Sequence, residues 1–148
     1  MIENIETILG CFARIRRTYA DNLNLKYNGY HLSPNEISIL IILTNNPHID
    51  TASQLSLFLG VSKGLVSRSI DSLISHGLLS CYKDEKDRRI SHLFIRDEAH
   101  PFLVEMESDI KKMNEKIFNT IPQSELAQAE KVFEKILNCL NQMKEEHS

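Results

Sequence analysis

Residues 51–95 read TASQLSLFLGVSKGLVSRSIDSLISHGLLSCYKDEKDRRISHLFI: two short helical patterns joined by a glycine, then a charged loop between two apolar runs. Thr51 and Gln54 stand three apart, the spacing at which a hydroxyl and an amide satisfy each other's free backbone donors at a helix start. Leu55, Phe58 and Leu59 are expected to face inward, and Gly60 to stop the turn. Ser62 is the natural cap of the next helix. At 100° per residue, Val66, Ile70 and Leu73 fall within about 40° of one another on its buried side, and Gly77 closes it. Two helices joined across four residues around Gly60 match a helix-turn-helix. Leu78–Tyr82 and Ile90–Ile95, flanking Lys83–Arg89, predict a β-hairpin.

Helices are expected on both sides of this segment. Residues 2–26 repeat Ile2, Ile5, Ile8, Leu9, Phe12 and Ile15 at spacings of three and four, an amphipathic stripe. Lys26–Leu32 has no clear period and reads as a loop. Ser33-Pro34-Asn35-Glu36 is a second capping box with proline at the first helical position. Ile37–Leu43 forms the helix body, and Asn45-Asn46-Pro47 ends it. Glu98–Asn119 carries Leu103, Met106, Ile110, Met113 and Ile117 in a heptad-like stripe, and a last helix, from about Gln123 to Met143, repeats the pattern. The fold class is therefore mainly α with a small β-hairpin: a winged helix-turn-helix lobe over 33–96, flanked by helices over 1–30 and 98–148, in one domain spanning 1–148.

The 148 residues suffice for one domain with a real core, and no apolar run approaches the roughly 20 residues of a membrane span. The start, MIENIE, lacks the basic region of an export signal, and Cys11, Cys81 and Cys139 form no CxxC motif; together these predict reduced thiols and a cytoplasmic protein. The histidines show no metal-ligand spacing. With no nucleotide loop or nucleophile motif either, an enzyme, a metal and a cofactor are not expected. The net charge of −3 hides a polarity: residues 61–96 hold seven basic and four acidic side chains, whereas residues 97–148 hold six and eleven. Such a division can turn one basic face toward phosphates.

On the second helix of the pair, Gly64, Arg68, Asp71 and Ser75 lie opposite the buried stripe, with Lys63 and Ser67 on one shoulder. Small, polar and basic residues on the outward N-terminal half suit entry into a major groove. Hydroxyls and amines bond phosphates, and an arginine can fork onto guanine. Ser62, Lys63, Gly64, Ser67 and Arg68 meet that description, although Ser62 also serves as a cap and Leu65 can either touch a thymine methyl or pack inward. In the loop, Lys86 and Arg88 add charge. Asp87 and Arg89, two apart in an extended segment, point the same way, so the carboxylate can brace the guanidinium. A braced arginine at a hairpin tip fits a narrow minor groove. The other reading is a solvated charged turn.

These residues make the chain resemble the MarR family of bacterial and archaeal regulators, along nearly its whole length. The likeness lies in HLSPNEISIL at 31–40, TASQLSLFLGVSKGLVSRSIDSLISHGLL at 51–79 and DEKDRRI at 84–90. The family's Asp-x-Arg wing signature matches Asp87-Arg88-Arg89, and its Ser-Arg matches Ser67-Arg68. Two departures stand out: Ser56 replaces a common alanine, and Ile95-Arg96 replaces a common Leu-Thr. The resemblance implies a sequence-specific double-stranded-DNA-binding regulator, a repressor, whose terminal helices build a homodimer that sets two recognition helices on a pseudo-palindromic operator. It implies Arg89 in the minor groove, held by Asp87, with Ser62, Lys63, Ser67 and Arg68 in the major groove. Family members commonly bind small aromatic ligands, for which Tyr19, Tyr27, Tyr30 and His31 are wall candidates beside a plain surface role. Cys11 resembles the placement of the peroxide-sensing thiol of one branch, beside the simpler reading of a small core residue. The alternative class is a winged-helix scaffold that binds protein and no DNA.

Overall fold

Each helix of the central lobe begins where a side chain supplies the oxygen that its first free amide needs. In the computed structural model, which describes residues 1–147, α1 runs Ile5–Leu23, α2 Pro34–Asn45, α3 Ala52–Leu59 and α4 Lys63–Ser75. Ser33 and Glu36 complete one capping box and Thr51 and Gln54 another, while the Ser62 hydroxyl accepts from the Leu65 amide at 3.3 Å. Gly60, at φ 64°, adopts the left-handed turn that separates α3 from α4 without the steric cost a side chain would bring.

Strands β3 (Leu79–Lys83) and β4 (Ser91–Ile95) pair antiparallel, with Leu79 opposite Ile95 and Lys83 opposite Ser91. This is the expected wing, with its loop moved one residue along the chain, to 84–90. A 3₁₀ turn, Asp97–Ala99, leads into α5 (His100–Phe118), and α6 spans Gln123–Glu146. The segment 26–31, expected as a loop, is a second hairpin: β1 (Lys26–Tyr27) pairs with β2 (Tyr30–His31). Asn28 and Gly29, both at positive φ, form its turn, the backbone signature of a tight two-residue hairpin.

The chain divides into two compact units, Met1–Asp109 and Ile110–Ser148. In the first, Ile37, Ile39, Leu40, Leu55, Val66, Leu73, Leu78, Leu79 and Met106 are almost completely buried. Each such side chain contributes roughly 1.5–3 kcal/mol on leaving water. The inward trio on α4 is as the helical period predicts, with Val66, Ile70 and Leu73 buried. On α3 the reading needs correction: Leu55 is buried and Leu59 half-buried, but Phe58 is 60% exposed. An eight-residue helix offers only two turns, so Leu55 and Leu59, one turn apart, take the inward face and Phe58 lies beside it. In the second unit α6 buries no residue, and Val132, Leu137, Leu140 and Met143 stay exposed along it. Among the described residues no helix is long and apolar enough to cross a membrane.

Candidate nucleic-acid interface

Burying Val66, Ile70 and Leu73 fixes the rotation of α4 and turns its other side to solvent. Lys63, Gly64, Ser67 and Arg68 are all exposed there, as is the capping residue Ser62. A Cβ placed on Gly64 would meet no atom within 4 Å, so the backbone is open to close approach at that point. Among the described residues Lys63, Arg68, Lys86 and Arg88 join no ion pair, which leaves four cationic side chains uncommitted.

The wing tip is ordered by carboxylates. Asp84 Oδ1 accepts from the amides of Lys86 (2.9 Å) and Asp87 (2.8 Å), folding the loop into a turn. The Ile90 amide donates to the Asp87 carbonyl, closing a second turn over 87–90. Within it Asp87 grips Arg89 through both oxygens: Nε donates to Oδ1 at 3.0 Å and Nη2 to Oδ2 at 3.1 Å, while the Arg89 amide also donates to Oδ1. The bracing expected from sequence is present, although its geometric reason differs. The segment is a turn rather than an extended strand, and the turn brings positions 87 and 89 together. The Arg89 side chain nonetheless remains 91% exposed, so its cation is oriented without being covered. This pairing lowers the Asp87 carboxyl below its ordinary value and raises the guanidinium above its own.

Two clusters hold these elements, and neither was anticipated. Tyr30 on β2 donates to the buried Glu36 carboxylate at 3.0 Å, its hydroxyl lies 3.1 Å from Ser72 Oγ, and its ring stacks on His76 with centroids 3.6 Å apart. The small first hairpin is thereby pinned to the C-terminal half of α4. At the base of the wing, His92 bridges Asp50 and Asp84. Both clusters join residues about forty positions apart. The one local signal lay in the Asn28-Gly29 turn, which sets Tyr30 on a strand.

The residues expected to sense a signal are scattered by comparison. Cys11 is half-buried on α1 and accepts from Arg14 Nη2 at 3.4 Å; among the described residues no hydrogen bond joins it to Tyr19 or Tyr27. Partial burial raises the Tyr19 hydroxyl above its ordinary value. Tyr27 packs on Phe102 at 5.2 Å, and His31 is exposed. An open cavity of about 420 Å³, walled by Leu43, Ile49, Leu93, Leu103 and Val104, includes none of these four aromatic residues or Cys11 in its lining. Among the described residues no group of three potential ligands is placed to hold a metal ion.

Residues 30–90, the segment carrying both elements of this surface, match the MarR family. Over 110 residues the chain is 26% identical to the transcriptional repressor MprA of Escherichia coli (strain K12), a match covering 74% of this chain and 62% of that protein. It thus spans less than two thirds of that relative's length. Among solved structures, a MarR transcriptional regulator from Methanosarcina mazei Go1 superposes with a TM-score of 0.70 at 19% identity, covering 94% of this chain and 97% of that one. Streptococcus pneumoniae FabT, solved in complex with DNA, superposes at 0.63 with 24% identity, covering 93% and 95%.

Proposed function

We propose that this chain, whose residues 30–90 match the MarR family and whose fold is that of solved MarR regulators, is a non-enzymatic, cytoplasmic transcriptional repressor that binds double-stranded DNA as a homodimer. The observation carrying this reading is the pairing of an exposed basic face on α4 with an arginine chelated at the wing tip yet open to solvent. Lys63, Ser67 and Arg68 would lie in a major groove, where the arginine can fork onto a guanine edge. Gly64 would let the backbone near a phosphate. Arg89, already oriented by Asp87, would enter the adjoining minor groove with less rotamer freedom left to lose. Lys86 and Arg88 would add phosphate contacts, which strengthen binding without specifying sequence.

The homodimer is supported by the apolar residues left exposed on α1 and α6, among them Ile5, Leu9, Ile15, Val132 and Leu137. Such surface is normally covered by a partner. A two-fold pair would set its recognition helices roughly 34 Å apart on a pseudo-palindrome. Relief of repression is assigned to a small molecule or to oxidation of Cys11. Exposing reduced protein to a hydroperoxide, with Cys11→Ser as control, separates the two.

The test is a salt titration on a duplex selected from genomic fragments by the purified protein. A repressor of this kind loses affinity with a log–log slope near −0.9 per phosphate neutralised, about −5 or steeper for a dimer. Failure to retain any fragment at low salt would sink the reading.

A further inference from the structure

His92 sits where three elements meet: on β4, beside Asp50 ahead of α3, beside Asp84 at the mouth of the wing loop, and against the Tyr82 ring of β3 at 5.1 Å. Its Nδ1 lies 2.9 Å from Asp50 Oδ2 and its Nε2 lies 2.8 Å from Asp84 Oδ2. Ionised carboxylates only accept hydrogen bonds. A neutral imidazole has one donor nitrogen and one acceptor, so it can satisfy only one of these two partners and must turn a lone pair toward the other. The imidazolium, with a donor at each nitrogen, satisfies both.

Asp84 transmits this contact. Its Oδ1 receives the Lys86 and Asp87 amides while its Oδ2 receives His92, so a single carboxylate both folds the loop and anchors it. On the other side Asp50 is fixed to the start of α3, its amide donating to Gln54 Oε1 at 2.9 Å, and its carbonyl accepts from the Leu93 amide at 2.7 Å. We infer that His92, as an imidazolium, is a positioning residue for the wing, stapling the loop that presents Arg89 to the N-terminal end of α3 and loosening it when the proton leaves. The consequence for DNA rests on the regulator reading above; the staple itself does not.

The charged and titratable groups facing the ring are Asp50, Asp84 and Tyr82, one from each neighbouring element. Lys83, the nearby cation on β3, is drawn instead to Ser91 Oγ at 2.9 Å. The Asp84 hydrogen bond, with that of Asp50 added and burial opposing, holds the imidazole above its ordinary 6.5. The same hydrogen bond, with the Asp87 and Lys86 amides, pushes Asp84 down to about 2. For a base whose folded value is raised, the contribution is complete below pH 6.5 and is lost as the pH climbs through the raised value. On the acid side the contribution of Asp84 is complete above its ordinary 3.8 and is lost as the pH falls through about 2.

The test uses the full chain and two readouts. Nitrogen NMR of the histidine rings, with hydrogen exchange of the wing-loop amides, examines the staple without DNA. Affinity for the selected duplex between pH 6 and 8.5, for wild type and His92→Gln, examines its consequence. Expected are a His92 ring protonated at both nitrogens at pH 6.5, wing amides that exchange faster in step with its titration after the intrinsic pH dependence is removed, and a duplex affinity that falls about five- to tenfold across the range in wild type but stays level in the variant. Asp84→Asn should bring the His92 titration back toward 6.5. A singly protonated ring at pH 6.5, or identical pH profiles for wild type and His92→Gln, would overturn the inference. Absence of duplex binding at every pH would instead strike the regulator reading, with the ring titration still deciding the staple.

Discussion

The winged lobe and the terminal helices treat apolar side chains in opposite ways. In the lobe, α2 and α4 spend theirs inward: Ile37, Ile39, Leu40, Val66 and Leu73 are nearly inaccessible, and the exposed side of α4 starts with small and basic residues. On α6 no residue is buried, and on α1 only Ala20 is, although both helices carry apolar stripes of similar period. A pattern of this kind is half of a core. The contrast teaches that the lobe's shape is settled within one chain, whereas the terminal helices leave their stripes uncovered, which the proposed homodimer would complete.

The comparison breaks hardest at its terminal side. Replacing Ile15 and Leu137 together by glutamate places charge on the exposed stripes of α1 and α6. Sedimentation should then report one chain where wild type reports two. Duplex affinity should drop by about 10²- to 10⁴-fold, the usual worth of linking two binding modules. A variant that stays paired and binds normally would show that these stripes are not the interface. Next in size is Leu73→Ala, which empties a fully buried site and should lower stability by about 2–5 kcal/mol. Denaturant melts at several protein concentrations should show most of that loss as concentration-independent, because the site is internal to one chain. Smallest is Gly64→Ala. The free protein has room for the methyl, so stability should hold or rise by up to about 1 kcal/mol. Duplex affinity measured by anisotropy should nonetheless fall about three- to tenfold, since a methyl would stand between backbone and phosphate. Unchanged affinity would mean that the helix does not approach DNA there.

What the sequence disclosed follows the range over which each feature is encoded. The capping boxes at Ser33–Glu36 and Thr51–Gln54 lie within four residues, and both form as their spacing predicts. The α4 stripe is regular over three turns and is equally readable. Phe58 departs from the inward expectation because Leu55, Leu57, Phe58 and Leu59 crowd a helix too short to set a phase. The first hairpin is marked in the sequence by Asn28-Gly29 between Tyr27 and Tyr30 alone, because strands of two residues offer no alternation. The Asp87–Arg89 grip was visible as a pair but not as a turn. His92 between Asp50 and Asp84, and Tyr30 between Glu36 and Ser72, depend on the tertiary fold to bring distant positions together, and no local spacing marks them.

The most direct measurement compares wild type with Arg89→Ala on the selected duplex while following the dimer by sedimentation. The account predicts about ten- to hundredfold weaker DNA binding with the assembly unchanged. Equal affinity of the two proteins would contradict it.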